Sequence, residues 1–217
     1  MSGRVNLARV YRQASEARGA GGEEETFRDF AAALLEHDQI GSQPLSLESH
    51  GDRLLPHLAR PQILAELPSG HSLCYRELDS LGLILTYVAQ GEHSMRYLTD
   101  ADLKKLGITA DALHERAMCN LRERSLRDMT RKVVEERAMV SVAFGGGTDA
   151  TRILLLPEYL RPGEEVAAMI PDRDTLIVMP PPPADKWEEM AGATPPDSDQ
   201  LLTDRCIRVT CEGLERK

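Results

Sequence analysis

The spacing of apolar residues changes from a period of two to a period of about 3.6 near Thr99, and this change limits the folds open to the chain. Before it, the dense apolar run 81–89 is followed at once by 94–98, which predicts an antiparallel hairpin. After it, apolar residues recur at steps of three and four. This pattern predicts three helices, at 99–106, 109–124 and 126–136.

The second half of the chain returns to strand-like patterns. Val140, Val142 and Phe144 alternate with small residues, and a helix is expected at 149–156, ended by Pro157. Further strands are predicted at 166–170, 175–179 and 206–210, and a weaker one near the start at 62–67. This order of elements favours the α+β class, with an antiparallel or mixed sheet packed against a layer of helices.

The first 43 residues are predicted to form a separate region, an N-terminal helical extension. Helices are predicted at 4–18 and 26–38, and Phe27 and Phe30 lie on one face of the second. Residues 44–217 are then expected to form a single α+β domain. A Pro-rich loop at about 180–200 interrupts this domain and contains Trp187.

Charge and hydropathy exclude several classes of function. A net charge of −9 and a pI near 5.2 argue against nucleic-acid binding, which depends on clustered Lys and Arg. No apolar run reaches the roughly 18 to 20 residues that span a bilayer. The start of the sequence carries arginines and lacks the apolar core of a signal peptide, so we expect a cytoplasmic protein without a membrane span.

The reactive residue types do not form a recognisable catalytic or metal-binding motif. The four cysteines have no CxxC spacing, and the histidines have no HxH or HExxH spacing. Asp111 and Glu115 share a helix face, a pattern more typical of solvated surface than of paired catalytic carboxylates. The sequence therefore predicts no catalytic residue, no metal site and no cofactor, and it favours a non-enzymatic role over an enzyme.

Several segments, in order, resemble the YtpQ-like family of uncharacterised bacterial proteins. They are 96–109, 111–121, the Leu-Leu-Leu-Pro of 154–157, and 168–177, which reads Ala-Met-Ile-Pro-Asp-Arg-Asp-Thr-Leu-Ile. The similarity covers roughly residues 80–180. The function of this family is unknown, so the resemblance implies no catalytic residues, and the chain before about Pro44 and the Pro-rich loop fall outside it.

The best candidate for a ligand site is the glycine turn between a strand and a helix. Gly145, Gly146, Gly147 and Thr148 can present bare amides to a phosphate or carboxylate, with Arg152 or Arg173 as the counter-charge. The turn lacks the lysine of a P-loop, and Asp149 would repel an anion, so an ordinary strand-to-helix turn is the simpler interpretation.

Other residues suggest contact with a protein. Arg9 and Arg12 belong to an arginine-bearing helix that could contact an acidic partner or lipid headgroups, or form a solvated face. Asp172, Arg173 and Asp174 form a charged hairpin tip that could bind a partner or a cation and that turn chemistry alone also explains. Together with Phe27, Phe30 and Trp187, they favour a non-catalytic interaction or adaptor protein whose partner is another protein. The alternative is a small enzyme or ligand sensor that binds an anionic metabolite at 145–149. The sequence does not determine the oligomeric state.

Overall fold

A computed structural model describes residues 45–67, 72–91, 95–122, 126–144, 147–187, 189 and 202–217. The chain divides into two compact units, and the larger one, Leu45–Ala89 with Tyr97–Lys217, holds most of the described elements. The smaller unit is Met1–Pro44 with Gln90–Arg96. The predicted extension 1–43, with its two helices, lies outside the described residues.

The described elements are nine strands, four α-helices and three 3₁₀ segments. The strands are β1 Leu54–Ala59, β2 Tyr75–Leu78, β3 Leu83–Gln90, β4 Met95–Tyr97, β5 Val140–Val142, β6 Glu165–Met169, β7 Leu176–Met179, β8 Ile207–Thr210 and β9 Gly213–Arg216. The helices are α1 Leu47–His50, α2 Asp100–Leu106, α3 Ala110–Leu121 and α4 Arg127–Glu136. The 3₁₀ segments are Gly51–Arg53, Pro61–Leu64 and Ala150–Tyr159.

The first sheet is built around β3, which is buried along almost its whole length. Its order is β1-β3-β2, and β4 belongs to the same sheet. The pairing is antiparallel, with Leu54 opposite Ala89 on one side of β3 and Tyr75 opposite Thr86 on the other. A strand covered on both faces reads as a continuous apolar run, which is what Leu83–Gln90 shows.

The second sheet has the order β5-β7-β6-β8-β9, again with antiparallel pairs. Its two faces are packed differently, because successive residues of β6 point to opposite sides. Val166 and Ala168 join the main core of the protein. Ala167 and Met169 belong instead to a smaller cluster on the outer face.

The helices begin and end where their capping residues predict. Thr99 and Asp102 form a capping box at the start of α2, and Gly107 ends that helix with φ +67°. Helix α3 is capped by Thr109 and packs along β1. The amide of Asn120 on α3 donates to the carbonyls of Gly51 and Leu54, both at 2.8 Å, which joins the helix to the edge of the first sheet.

One hydrogen bond joins the first sheet to the third 3₁₀ segment, and another joins the first sheet to the second. The backbone N–H of Leu58 on β1 donates to the hydroxyl of Thr151 at 3.0 Å, at the start of the third 3₁₀ segment. The N–H of Arg216 on β9 donates to the carbonyl of Ser80 at 3.2 Å, in the turn between β2 and β3. One main core therefore contains side chains from both sheets. Its largest fully buried side chains include Tyr87, Leu54, Leu58, Leu81, Leu85, Leu98, Leu113 and Ile153.

The α+β class is confirmed, and the strands form two antiparallel sheets. The predicted strand at 62–67 is wrong: Pro61 occupies the first turn of a 3₁₀ segment, Pro61–Leu64, and the strand in this region is Leu54–Ala59. The expected helix after Asp149 is 3₁₀ and continues through Pro157 to Tyr159. Sequence patterns did not predict β2 and β9, because the alternating charges of these strands resemble those of exposed loops.

A substitution of Thr151 tests the link between β1 and the third 3₁₀ segment. Thr151→Val keeps the shape of the side chain but leaves the buried N–H of Leu58 without an acceptor. We expect the free energy of unfolding to fall by about 2 kcal/mol in urea titrations.

The matched control is Thr130→Val, which is equally buried. The carbonyl of Leu126 that accepts from the Thr130 hydroxyl also accepts the backbone N–H of Thr130 at 2.9 Å. The control should therefore cost less than about 1 kcal/mol. Equal losses in the two variants would contradict the role given to Thr151.

Candidate functional site

A strand at the edge of a sheet exposes backbone groups that can pair with another chain, unless something covers them. At the outer edge of β1, the carbonyl of Leu54 accepts from Asn120 and the N–H of Leu58 donates to Thr151. Pro56, between them, has no N–H to offer. Side chains and a proline therefore close this edge.

The outer strands β2 and β9 are protected by charge. On β2, Arg76 pairs with Asp111 of helix α3, and Glu77 is exposed beside it. On β9, Glu215 and Arg216 are both exposed, and the N–H of Arg216 is bonded to the turn between β2 and β3. Charged side chains on an edge discourage pairing with a further strand.

In the described residues, the outer edge of strand β5 has neither the covering contacts of β1 nor the charges of β2 and β9. It pairs with β7 on one side, with Val140 opposite Val178, and no described strand pairs with its other side. The stretch 138–144 reads Ala-Met-Val-Ser-Val-Ala-Phe and contains no charge, no proline and no glycine. The side chains of Met139 and Phe144 are 71% and 41% exposed. We call the segment 138–144 the β5 edge.

Phe144, at the end of the β5 edge, is held by a buried arginine. The guanidinium of Arg152 lies 5.3 Å from the centre of the Phe144 ring. Its Nη1 donates to the carbonyl of Leu121 at 3.0 Å, and its Nε donates to Asp149 at 3.4 Å. Asp149 is fully buried. The exposed ring therefore stacks on an arginine that the interior of the protein keeps in place.

Only part of the anion site predicted at the glycine turn lies in the described residues. Gly145 and Gly146 lie outside the described residues, and Gly147 and Thr148 are buried. The guanidinium of Arg152, the expected counter-charge, donates to the carbonyl of Leu121 and to the carboxylate of Asp149. The anion site at this turn stays a prediction.

The hairpin tip between β6 and β7 lies beside this turn, which the sequence did not indicate. The N–H of Ala150 donates to the carbonyl of Arg173 at 3.1 Å. Within the tip, the N–H of Asp174 donates to the carboxylate of Asp172 at 2.8 Å, and the Arg173 Nε donates to Asp174 at 3.3 Å. All three side chains are half-buried. Two segments predicted as separate sites are therefore neighbours.

Trp187 packs inward. Its side chain is 9% exposed and shares a cluster with Met169, Met179 and Cys206 on the outer face of the second sheet. The ring closes this face, so it does not project as a surface anchor. The other residues predicted to contact a partner, Arg9, Arg12, Phe27 and Phe30, lie outside the described residues, and their role stays a prediction.

A second polar group joins β2, β3 and α3, and no sequence pattern predicted it. The hydroxyl of Tyr87 lies 3.0 Å from Nδ1 of His114, and Arg76 bonds both Tyr87 and Asp111. Burial raises the pKa of Tyr87 to about 12, although Arg76 opposes the rise. Burial and then Arg76 lower the pKa of His114.

Both rings of this group are thus neutral near pH 7, and the Tyr87 hydroxyl can donate to Nδ1 of His114. Tyr87 is buried, and its hydroxyl forms the hydrogen bond that joins helix α3 to the first sheet. No alternation or spacing in the sequence reports this contact, because Tyr87 and His114 are 27 residues apart.

Residues of the types that bind metal ions do not cluster in the described part of the chain. There, no three His, Cys, Asp or Glu side chains are placed to hold one ion. The four cysteines are free thiols: Cys74 and Cys206 are buried, Cys211 is half-buried and Cys119 is exposed. Burial raises the pKa values of the Cys74 and Cys206 thiols, which keeps them protonated and unreactive at neutral pH.

Comparisons with known proteins found no match among family models, curated proteins or solved structures. The resemblance of residues 80–180 to the YtpQ-like family therefore stays a prediction. In the described ranges, no helix combines the length and the apolar character needed to cross a bilayer.

A pair of arginine substitutions tests the support beneath Phe144. Arg152→Met deprives the fully buried carboxylate of Asp149 of a charged partner, and we expect the free energy of unfolding to fall by about 3 kcal/mol. Arg122→Met is the control, because Arg122 forms an ion pair with Glu158 at 2.6 Å while both side chains stay well exposed.

The control should lose less than about 1 kcal/mol, since solvent screens exposed pairs. Chemical denaturation at low and high salt measures both variants. A loss of similar size in the two would show that Arg152 is not a structural support.

Proposed function

We propose that this protein is a non-catalytic interaction protein that binds an extended segment of another protein along the β5 edge. The supporting observation is that β5 is uncharged and lacks a described strand on its outer side, whereas the outer strands β1, β2 and β9 are closed or charged. We also propose that the protein acts in the cytoplasm, as its sequence predicts.

The backbone of β5 supplies the first part of the interaction. An extended segment laid along Val140–Val142 would continue the second sheet by one strand, as in β-strand addition. Each backbone hydrogen bond adds on the order of 1 kcal/mol to such pairing. Main-chain pairing gives affinity without requiring a particular sequence in the partner.

The side chains supply the second part. Met139 and Phe144 lie just beyond the two ends of β5 and are both exposed, so a bound strand would meet an apolar group at each end. Phe144 is held in place by Arg152, which lowers the entropy that the ring loses on binding. These features select a partner segment with apolar side chains at matching positions and no requirement for charge.

The composition of the stretch 138–144 also exposes the β5 edge to non-specific pairing with other strands. An uncharged segment of β-branched and aromatic residues without proline is prone to non-specific strand pairing. The strand itself is three residues long, and short edges limit such pairing. A specific partner strand would satisfy the same backbone groups.

The experiment selects ligands from a library of eight-residue display peptides with the full-length protein as bait. We expect enrichment of peptides with alternating apolar residues. Peptide binding should slow amide hydrogen exchange at Val140–Val142. In Ser141→Lys, a charge at the exposed centre of β5 should weaken binding about tenfold or more without changing stability.

The matched control is Ser80→Lys, which places the same charge at an exposed serine of the turn between β2 and β3. It should bind the selected peptides as the wild type does. Equal binding by the wild type and Ser141→Lys would refute the β5 edge as the site. If the wild type forms dimers that Ser141→Lys abolishes, a second copy of the chain, rather than another protein, is the partner.

A further inference from the structure

His57 on β1 is a buried imidazole whose two ring nitrogens both lack a hydrogen-bond partner. The residue is 3% exposed. The other described histidines are satisfied differently: Nδ1 of His50 lies 2.7 Å from the hydroxyl of Ser49, and Nδ1 of His114 meets Tyr87. An unsatisfied donor and acceptor at one buried position call for a physical explanation.

Packing alone does not require a histidine here. The neighbours of His57 along β1 are Pro56 and Leu58, and an apolar side chain at this position would fill the space without the cost of unpaired nitrogens. Leaving a buried polar group unpaired costs on the order of 1 to 3 kcal/mol. One physical explanation of such a group is an ion that supplies the missing hydrogen-bond partner.

Two other polar side chains, those of Tyr97 and Arg173, interact with the imidazole of His57. The ring of Tyr97 meets the imidazole edge to face, with centroids 5.4 Å apart and planes at 88°. The backbone of Arg173, in the hairpin tip, is held near β1, because Ala150 bonds the carbonyl of Arg173 and the next residue, Thr151, bonds Leu58 beside His57. The charge of Arg173 acts on both rings. Residues from β1, β4 and the β6–β7 hairpin therefore converge.

Arg173 is the charge that acts on both rings. Burial lowers the pKa of His57 to about 4, and Arg173 contributes to this lowering. Burial raises the pKa of Tyr97, and Arg173 opposes that rise. Asp172 and Asp174 are bonded within their own turn. The group thus combines a neutral imidazole, a neutral phenol and a guanidinium that also forms an ion pair with Asp174 at 3.3 Å.

We propose that His57, Tyr97 and Arg173 bind a small anion that carries a carboxylate or phosphate group. The anion would accept hydrogen bonds from the imidazole N–H and the phenol and pair with the guanidinium, so it satisfies a donor that the protein itself leaves unpaired. The Arg173 side chain is 31% exposed, which offers an approach from solvent. This site does not depend on the β5 edge, and it shares Arg173 with the anion site that the sequence predicts at the glycine turn.

The test is an NMR titration of the full chain labelled with ¹⁵N in its histidine rings. Inorganic phosphate and citrate are added separately, so that the two arms distinguish the phosphate from the carboxylate class. With a binding anion, the pKa of His57 should rise by about one unit or more, because a negative charge nearby favours the protonated ring. The resonances of His114 should not move.

Arg173→Gln should weaken the binding of the active anion about tenfold or more. Arg161→Gln, at an exposed arginine whose charge is not among those that shift the pKa of His57 or Tyr97, should bind as the wild type does. If neither anion shifts the His57 resonances of the wild type, or if Arg173→Gln binds unchanged, the proposal is overturned. The wild-type titration decides the matter even if Arg173→Gln fails to fold.

Discussion

The hydrogen bond from the backbone of Leu58 to the hydroxyl of Thr151 is the contact on which the other features depend. It joins residues 93 positions apart in the sequence, and it satisfies a buried N–H at the outer edge of β1. A backbone donor that is removed from water must find an acceptor in the protein. Because Thr151 provides it, the start of the third 3₁₀ segment is held against the first sheet.

That position determines the surroundings of both proposed sites. Ala150 bonds the tip of the β6–β7 hairpin, which brings Arg173 towards His57 and Tyr97. Arg152, one residue after Thr151, lies under the Phe144 ring at the end of the β5 edge. One short segment therefore organises the β5 edge on one side and the His57 group on the other.

The two aromatic–histidine pairs, each with one buried and one half-buried ring, differ in the hydrogen bonding of their polar groups. Tyr87 and His114 satisfy each other at 3.0 Å and join α3 to the first sheet, so their polarity is used for structure. His57 and Tyr97 are in ring contact, yet the nitrogens of His57 remain unpaired. Burial lowers the pKa values of both histidines. They differ in hydrogen bonding, because His114 has a partner in Tyr87 and His57 has none among the described residues.

Sequence patterns predicted elements whose signal is local. The caps at Thr99 and Thr109 predicted the starts of α2 and α3, and the dense apolar run predicted β3, since these features depend on neighbouring residues alone. The same patterns failed for β2 and β9, where charged residues on exposed edge strands resemble loops. At 62–67, the weak alternation was misleading because Pro61 favours the first turn of a helix.

The sequence by itself thus determined the α+β class, the acidic character and most of the helices and central strands. The tertiary structure decided which strand lies at an edge, which side chains close the other edges, and which buried polar groups remain unpaired. It placed the turn after β5 beside the hairpin tip and turned Trp187 inward. The reason is physical: periodicity records which face of an element avoids water, whereas edges and hydrogen-bond partners depend on contacts between segments distant in the chain.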